Sequence, residues 1–74
     1  MRIRSAADLK PGEKGTVMEI ADEYLACKLF EMGLIPGTEI TLKYTAPLGD
    51  PIAIQVSGYN LSLRLNEASV ISIA

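Results

Sequence analysis

Ile52-Ala53-Ile54-Gln55-Val56-Ser57-Gly58-Tyr59-Asn60-Leu61-Ser62-Leu63-Arg64-Leu65 is the stretch whose pattern decides the fold. Ile52, Ile54 and Val56 alternate with Ala53 and Gln55, and Tyr59, Leu61, Leu63 and Leu65 alternate with Asn60, Ser62 and Arg64. Successive side chains of an extended chain point to opposite faces, so each run reads as a half-buried strand. Only Ser57-Gly58 separates the two runs, which predicts a tight hairpin. Upstream, Ile40, Leu42 and Tyr44 alternate with Thr41, Lys43 and Thr45, giving a third strand. The connection Pro47-Leu48-Gly49-Asp50-Pro51 carries prolines at both ends, which excludes a hydrogen-bonded ladder there. Downstream, Asn66-Glu67-Ala68-Ser69 reads as one helical or 3₁₀ turn, followed by a short final strand from Val70 to Ile73.

The first half holds one more strand and one helix. Thr16, Val17 and Ile20 favour a strand from Gly15 to Ile20, after the turn Lys10-Pro11-Gly12-Glu13. Asp22 to Met32 reads as a helix: Leu25, Leu29 and Met32 fall within roughly 60° of one another at about 100° per residue. Gly33 stands where helices end in a left-handed residue, and Pro36 prevents resumption. Pro36-Gly37 predicts a type II turn with positive φ at the glycine. Ser5 followed by Asp8 is a capping pattern for a short first turn. The expected architecture is all-β: a small SH3-like barrel of about five strands, with one α-helix inserted after the first. Barrel closure is expected to remove the sheet edges. A five-stranded OB barrel is the alternative, but it places its helix between strands three and four.

Composition narrows the function classes. The chain has 74 residues, 49% of them hydrophobic, which predicts one ordered domain over residues 1–74. Seven Lys and Arg against nine Asp and Glu leave a net charge of −2, without the basic excess that phosphate binding demands, so nucleic acid is not an expected partner. With no His and one Cys, a Cys/His zinc site and an internal disulfide are both excluded within one chain. No apolar stretch approaches the ~20 residues that span a bilayer. Met1-Arg2-Ile3-Arg4-Ser5 lacks the apolar segment of a signal peptide, so the expected location is the cytoplasm, without membrane insertion.

The residues that could carry chemistry are scattered. Asp22, Glu23 and Glu31 lie on or beside the helix, and no spacing pairs carboxylates for acid–base work. Cys27 sits about 160° from Leu25 and has no His to activate it, so it reads as a passive thiol. No catalytic, cofactor or metal residues are assigned, and an enzyme is not expected. The apolar surplus says more. Phe30 lies about 140° from Leu25 on the helix, and Leu34, Ile35 and Leu48 fall in expected loops. Two readings stand: these residues plug the open end of the barrel, or they form an exposed patch for a partner protein. The candidate partner-binding set is Phe30, Leu34, Ile35 and the Leu48-Gly49-Asp50 loop.

Two segments carry a family resemblance. Glu31-Met32-Gly33-Leu34-Ile35-Pro36-Gly37-Thr38-Glu39-Ile40 and Ala46-Pro47-Leu48-Gly49-Asp50-Pro51-Ile52 resemble the signature of FeoA, ferrous iron transport protein A. Asp8-Leu9-Lys10-Pro11-Gly12-Glu13-Lys14-Gly15 resembles the family's opening, and Tyr59-Asn60-Leu61-Ser62-Leu63-Arg64 its C-terminal strand. The resemblance implies an SH3-like barrel, a fold also found as the C-terminal domain of DtxR-type metal-dependent repressors. It further implies a cytosolic accessory role beside FeoB, the ferrous-iron transporter with a cytosolic GTP-binding domain. The expected state of the chain is a monomer or weak homo-oligomer without a cofactor. Many members carry arginines before the EMGL segment; here Ala26-Cys27 take that place, and only Lys28 remains. The alternative is a regulatory module related to the repressor domain. That reading requires a helix-turn-helix DNA-binding domain, for which 74 residues are expected to leave no room.

Overall fold

The Ser57-Gly58 hairpin forms with positive φ at both central residues, 43° and 92°, the turn whose twist matches the strands it joins. Val56 faces Tyr59, and pairing runs without a shift to Ile52 opposite Leu63. The computed structural model describes residues 3–74; Met1 and Arg2, which open the stretch read above against a signal peptide, lie outside the described residues. A 3₁₀ turn over Ala6–Asp8 leads to β1 (Lys14–Ile20), α1 (Glu23–Glu31), β2 (Glu39–Thr45), β3 (Ile52–Val56), β4 (Tyr59–Leu63), α2 (Leu65–Ala68) and β5 (Ile71–Ile73). The strands form one antiparallel sheet in the order β4-β3-β2-β1-β5, with α1 after the first strand as expected of the SH3-like architecture.

β1 serves two neighbours. Its first half, Lys14 to Thr16, pairs with β2, and its second half, from Val17, pairs with β5 across a register shift between Val17 and Glu19. Such a shift bends a strand and lets it turn the corner of a barrel. Expected closure of the sheet edges is incomplete. No ladder joins β4 to β5 among the described residues. The outer edge of β5 is covered by the N-terminal segment, through Ser5 opposite Ser72 and the Ile73 N–H donated to the Arg4 carbonyl at 3.0 Å. Side chains close the rest: Leu63 from β4, Ile71 and Ile73 from β5, and Leu25 and Leu29 from α1 share one core with Val17, Ile40, Leu42 and Ile54.

Three expectations are corrected. Leu65 begins α2 instead of extending β4, because its N–H is capped by Asp50 Oδ1 at 3.0 Å while Glu67 Oε1 accepts the Arg64 N–H at 2.9 Å. Tyr44 leaves the buried face of β2 and is 62% exposed, because the register shifts between Leu42 and Tyr44. Met32 is 40% exposed, because α1 ends at Glu31 and Met32, its C-cap, stands at the margin of the Leu25–Leu29 face. Asp22, expected as the first helical residue, is the N-cap of α1, its Oδ1 accepting the Leu25 N–H at 2.9 Å, and Ser5 with Asp8 forms the expected capping box on the first turn.

The segment after α1 is held by two consecutive turns. Gly33 adopts φ 85°; its N–H bonds to the Phe30 carbonyl at 3.0 Å, and the Leu34 N–H to the Leu29 carbonyl at 3.0 Å. This pair of bonds is a Schellman motif, which brings the residue after the glycine back onto the helix's apolar side. Leu34 and Leu29 both lie in the core. Pro36-Gly37 then makes the expected type II turn, with φ 95° at Gly37 and the Thr38 N–H on the Ile35 carbonyl at 3.0 Å. The turn is bolted to β1 by the Gly37 N–H on the Val17 carbonyl (2.7 Å) and the Val17 N–H on the Thr38 carbonyl (2.8 Å). A Cβ on Gly33 or Gly37 would meet no atom within 4 Å, so the cost of Ala at either place is conformational alone. Gly33→Ala and Gly37→Ala are each expected to lose about 1–2 kcal/mol in denaturant unfolding; wild-type midpoints for both would contradict the turn account.

A second tie fixes the N-terminal segment. Arg4 Nη1 lies 2.7 Å from Glu13 Oε2, and Glu13 Oε1 accepts the Lys10 N–H at 2.9 Å. The Arg4 hydrogen bond, and then the Lys10 N–H, lower the Glu13 carboxyl from 4.5 to about 2. A carboxyl depressed on folding contributes stability above its ordinary value and loses it as pH falls through the folded one. The contribution is therefore complete at neutral pH and disappears between about 4.5 and about 2. Solvent screens the pair, so the effect is small. Glu13→Gln should show a shallower loss of stability than wild type between about pH 5 and pH 2 in urea unfolding; equal losses would contradict the tie.

Candidate functional site

The helix face opposite the core decides where the apolar surplus goes. Leu25 and Leu29 are buried against the sheet, so Phe30, next along the chain from Leu29, is turned outward and is 66% exposed. Beside it lies the outer face of β1. Gly15 and Val17 point inward, so Met18 points outward, and it too is exposed. The type II turn supplies the third wall. Phe30, Ala26, Met18, Glu19, Ile20, Ile35 and Pro36 together line an open groove of about 420 Å³. Its floor and walls are mainly apolar, and Glu19 is the charged residue at its margin.

The six candidate residues separate into three places. Phe30 and Ile35 share the groove. Leu34 is 0% exposed and belongs to the core, so it offers no surface to a partner. Its burial follows from the Schellman motif, whose sequence signature, Leu29 with Gly33-Leu34, was readable. Leu48 stands 97% exposed in the β2–β3 loop, outside the groove lining. That loop is braced by the Gly49 N–H on the Ala46 carbonyl (2.7 Å) and the Ala46 N–H on the Pro51 carbonyl (2.9 Å), with a cis Asp50–Pro51 bond. Asp50 faces away into a polar hollow with Pro51, Ser62, Arg64 and Glu67. Thus the plug and patch readings divide by residue: Leu34 fills the core, while the exposure of Phe30 and Leu48 excludes them from plugging it.

Met18 and Pro36 complete the groove and were not among the sequence candidates. The signal for Met18 was its position: a strand residue next to the buried Val17 has to face the other way. Cys27 is exposed, in a shallow hollow with Tyr24, Lys28 and Glu31. Among the described residues no three Cys, Asp or Glu side chains converge as a metal-binding group, and no helix is long and apolar enough to cross a membrane. An exposed apolar groove with rigid walls can bind an apolar side chain of another molecule at low ordering cost. Leu34→Ala should cost about 2–5 kcal/mol by cavity formation, whereas Phe30→Ala should stay within about 0.5 kcal/mol of wild type in the same unfolding measurement. Equal losses for the two would show Phe30 to be packed.

Residues 5–74 match the family model of the FeoA domain. A fusion protein from Porphyromonas gingivalis, described as Fe(2+) transport protein A/Fe(2+) transporter FeoB, is 31% identical over 68 residues, which is 90% of this chain. The chain spans 8% of that fusion protein's length. Among solved structures, a FeoA-like protein from Clostridium acetobutylicum is 36% identical with a TM-score of 0.88, over 100% of this chain and 87% of that one. The zinc complex of Stenotrophomonas maltophilia FeoA, described as a prokaryotic SH3 domain protein, is 24% identical with a TM-score of 0.84, over 96% of this chain and 89% of that one. A manganese-dependent transcriptional repressor matches at 18% identity and a TM-score of 0.83, over 96% of this chain and 40% of the repressor. The last two likenesses establish the SH3-like fold and nothing further.

Proposed function

The chain belongs to the FeoA family, and from that premise we propose that it is a cytoplasmic accessory protein of ferrous iron uptake that binds the cytosolic part of a FeoB-type transporter. FeoA domains are small accessory domains of iron transport, not an enzyme family. The observation that carries the proposal is the Porphyromonas gingivalis fusion, in which a segment similar to this chain is continuous with a FeoB transporter. Covalent fusion keeps two domains at high effective concentration, an arrangement that suits domains acting on each other. The groove supplies the physical means. Phe30 is its largest exposed side chain, flanked by Met18, Ile35 and Pro36 on elements locked by backbone hydrogen bonds. Large aromatic anchors in rigid surroundings dominate interface energetics. Leu48, Gly49 and Asp50 are proposed as a second contact, on a braced loop. Lys28, with Ala26-Cys27 before it, leaves little positive charge on α1, so the contact rests on apolar burial more than on charge.

Full-length FeoB-type transporter, solubilised in detergent, should be retained on the immobilised chain. Phe30→Ala should weaken retention about tenfold or more, and Leu48→Ser less, with both variants melting as wild type. No retention by wild type would overturn the proposed function; unchanged retention by both folded variants would overturn the surface.

A further inference from the structure

The sheet has two ends, and the molecule treats them differently. At β5 the chain covers its own edge: the Arg4–Ser5 segment lies along it, with the Ile73 N–H bonded to the Arg4 carbonyl. At β4 nothing among the described residues does the same. The hairpin geometry specifies what is left open. In a two-residue hairpin the flanking pair, here Val56 and Tyr59, exchanges both hydrogen bonds, and the ladder then alternates. Tyr59, Leu61 and Leu63 therefore bond to β3, while the N–H and C=O groups of Asn60 and Ser62 point away from it. Neither residue's backbone has another partner among the described residues, and both residues are exposed. Natural edges are usually blunted by a bulge, a proline or a charge. β4 has none of these: its register is unbroken, and Tyr59-Asn60-Leu61-Ser62-Leu63 carries no charge and no proline.

Beside this edge runs a groove between β4 and α1, lined by Leu61, Ser62 and Leu63 on one side and by Leu25, Leu29 and Met32 on the other, with Lys28 and Glu67 also in its lining. The Tyr59 hydroxyl donates to the Met32 carbonyl and closes one end of it. We infer that the β4 edge is a strand-addition site, taking an extended segment of the partner protein antiparallel to Tyr59–Leu63. The partial charges select this occupant. Two N–H and two C=O groups two residues apart are matched by another extended backbone, and the adjoining groove takes an apolar side chain at alternate positions. A second copy could offer the same backbone groups, and the experiment below separates it from the partner segment. The inference rests on the proposed transporter partnership and deepens it, because strand addition fixes the partner segment's direction and register, which the Phe30 groove does not.

Amide hydrogen exchange, read at single residues by fragmentation mass spectrometry, tests this directly on the wild-type chain with and without full-length detergent-solubilised FeoB-type transporter. Asn60 and Ser62 amides should exchange at least about tenfold more slowly in the complex. Ser62→Pro removes one outward N–H and leaves the β3 ladder intact, so it should weaken transporter binding about tenfold with an unchanged melting curve. Binding without protection at residues 60 and 62 would overturn strand addition and leave the transporter reading standing, whether or not Ser62→Pro folds. Absence of any binding would overturn both. Protection that appears with rising concentration of the chain alone would replace the partner segment with a second copy.

Discussion

The backbone hydrogen bonds between the Leu34–Thr38 turn and Val17 are the constraint on which the arrangement depends. Gly37 and Thr38 exchange hydrogen bonds with Val17 at 2.7 and 2.8 Å, so the end of α1 and the start of β2 are fixed to the middle of β1. Val17 is also where β1 passes from pairing with β2 to pairing with β5. One residue therefore sets the corner of the sheet, the seat of the turn and one member of the core. Gly33 and Gly37 make this geometry accessible, since both hold positive φ. The chain between them, Leu34-Ile35-Pro36, has no freedom to choose which side chain goes in. Leu34 goes into the core, and Ile35 and Pro36 remain on the surface beside Phe30 and Met18.

That division explains how a chain of 74 residues keeps an apolar surface without losing its core. The core takes Leu25, Leu29 and Leu34 from the helical side and alternate residues from the strands, with no buried polar or charged side chain among the described residues. Phe30, Met18 and Ile35 are surplus to it. Their exposure lets an interface gain apolar burial without any rearrangement of the domain, which is the thermodynamic requirement for a small docking module. A relative in which a similar segment is fused to a FeoB transporter is the ground for proposing a partner for such a surface.

Most of the fold was legible because its signals are local. Alternation in Ile52–Val56 and Tyr59–Leu63, the Ser57-Gly58 turn and the Ser5–Asp8 cap each act within a few residues. The errors arose where a longer-range contact overrode the pattern. Leu65 looks like a strand residue, but Asp50, fifteen positions earlier, caps its N–H and starts a helix. Tyr44 fits the alternation of β2, but a register shift against β3 turns it outward. At the candidate site, helical angle and loop position account for the exposure of Phe30 and Ile35. Leu34 was misplaced because loop residues were read as exposed, although Gly33-Leu34 after Leu29 already encodes the return to the core. The open β4 edge was hidden by the expectation of a closed barrel. Closure depends on which strands meet, and no local pattern carries that information.

The central claim is that the Phe30 side of α1 meets the transporter. Photo-crosslinking in cells tests it most directly, with a benzophenone amino acid placed at position 30 or at position 24. Tyr24 is 80% exposed and lies about 120° around the helix from Phe30. The account predicts a crosslink to the FeoB-type transporter from position 30 and none from position 24. A crosslink from position 24 alone, or equal yields from both, would contradict it.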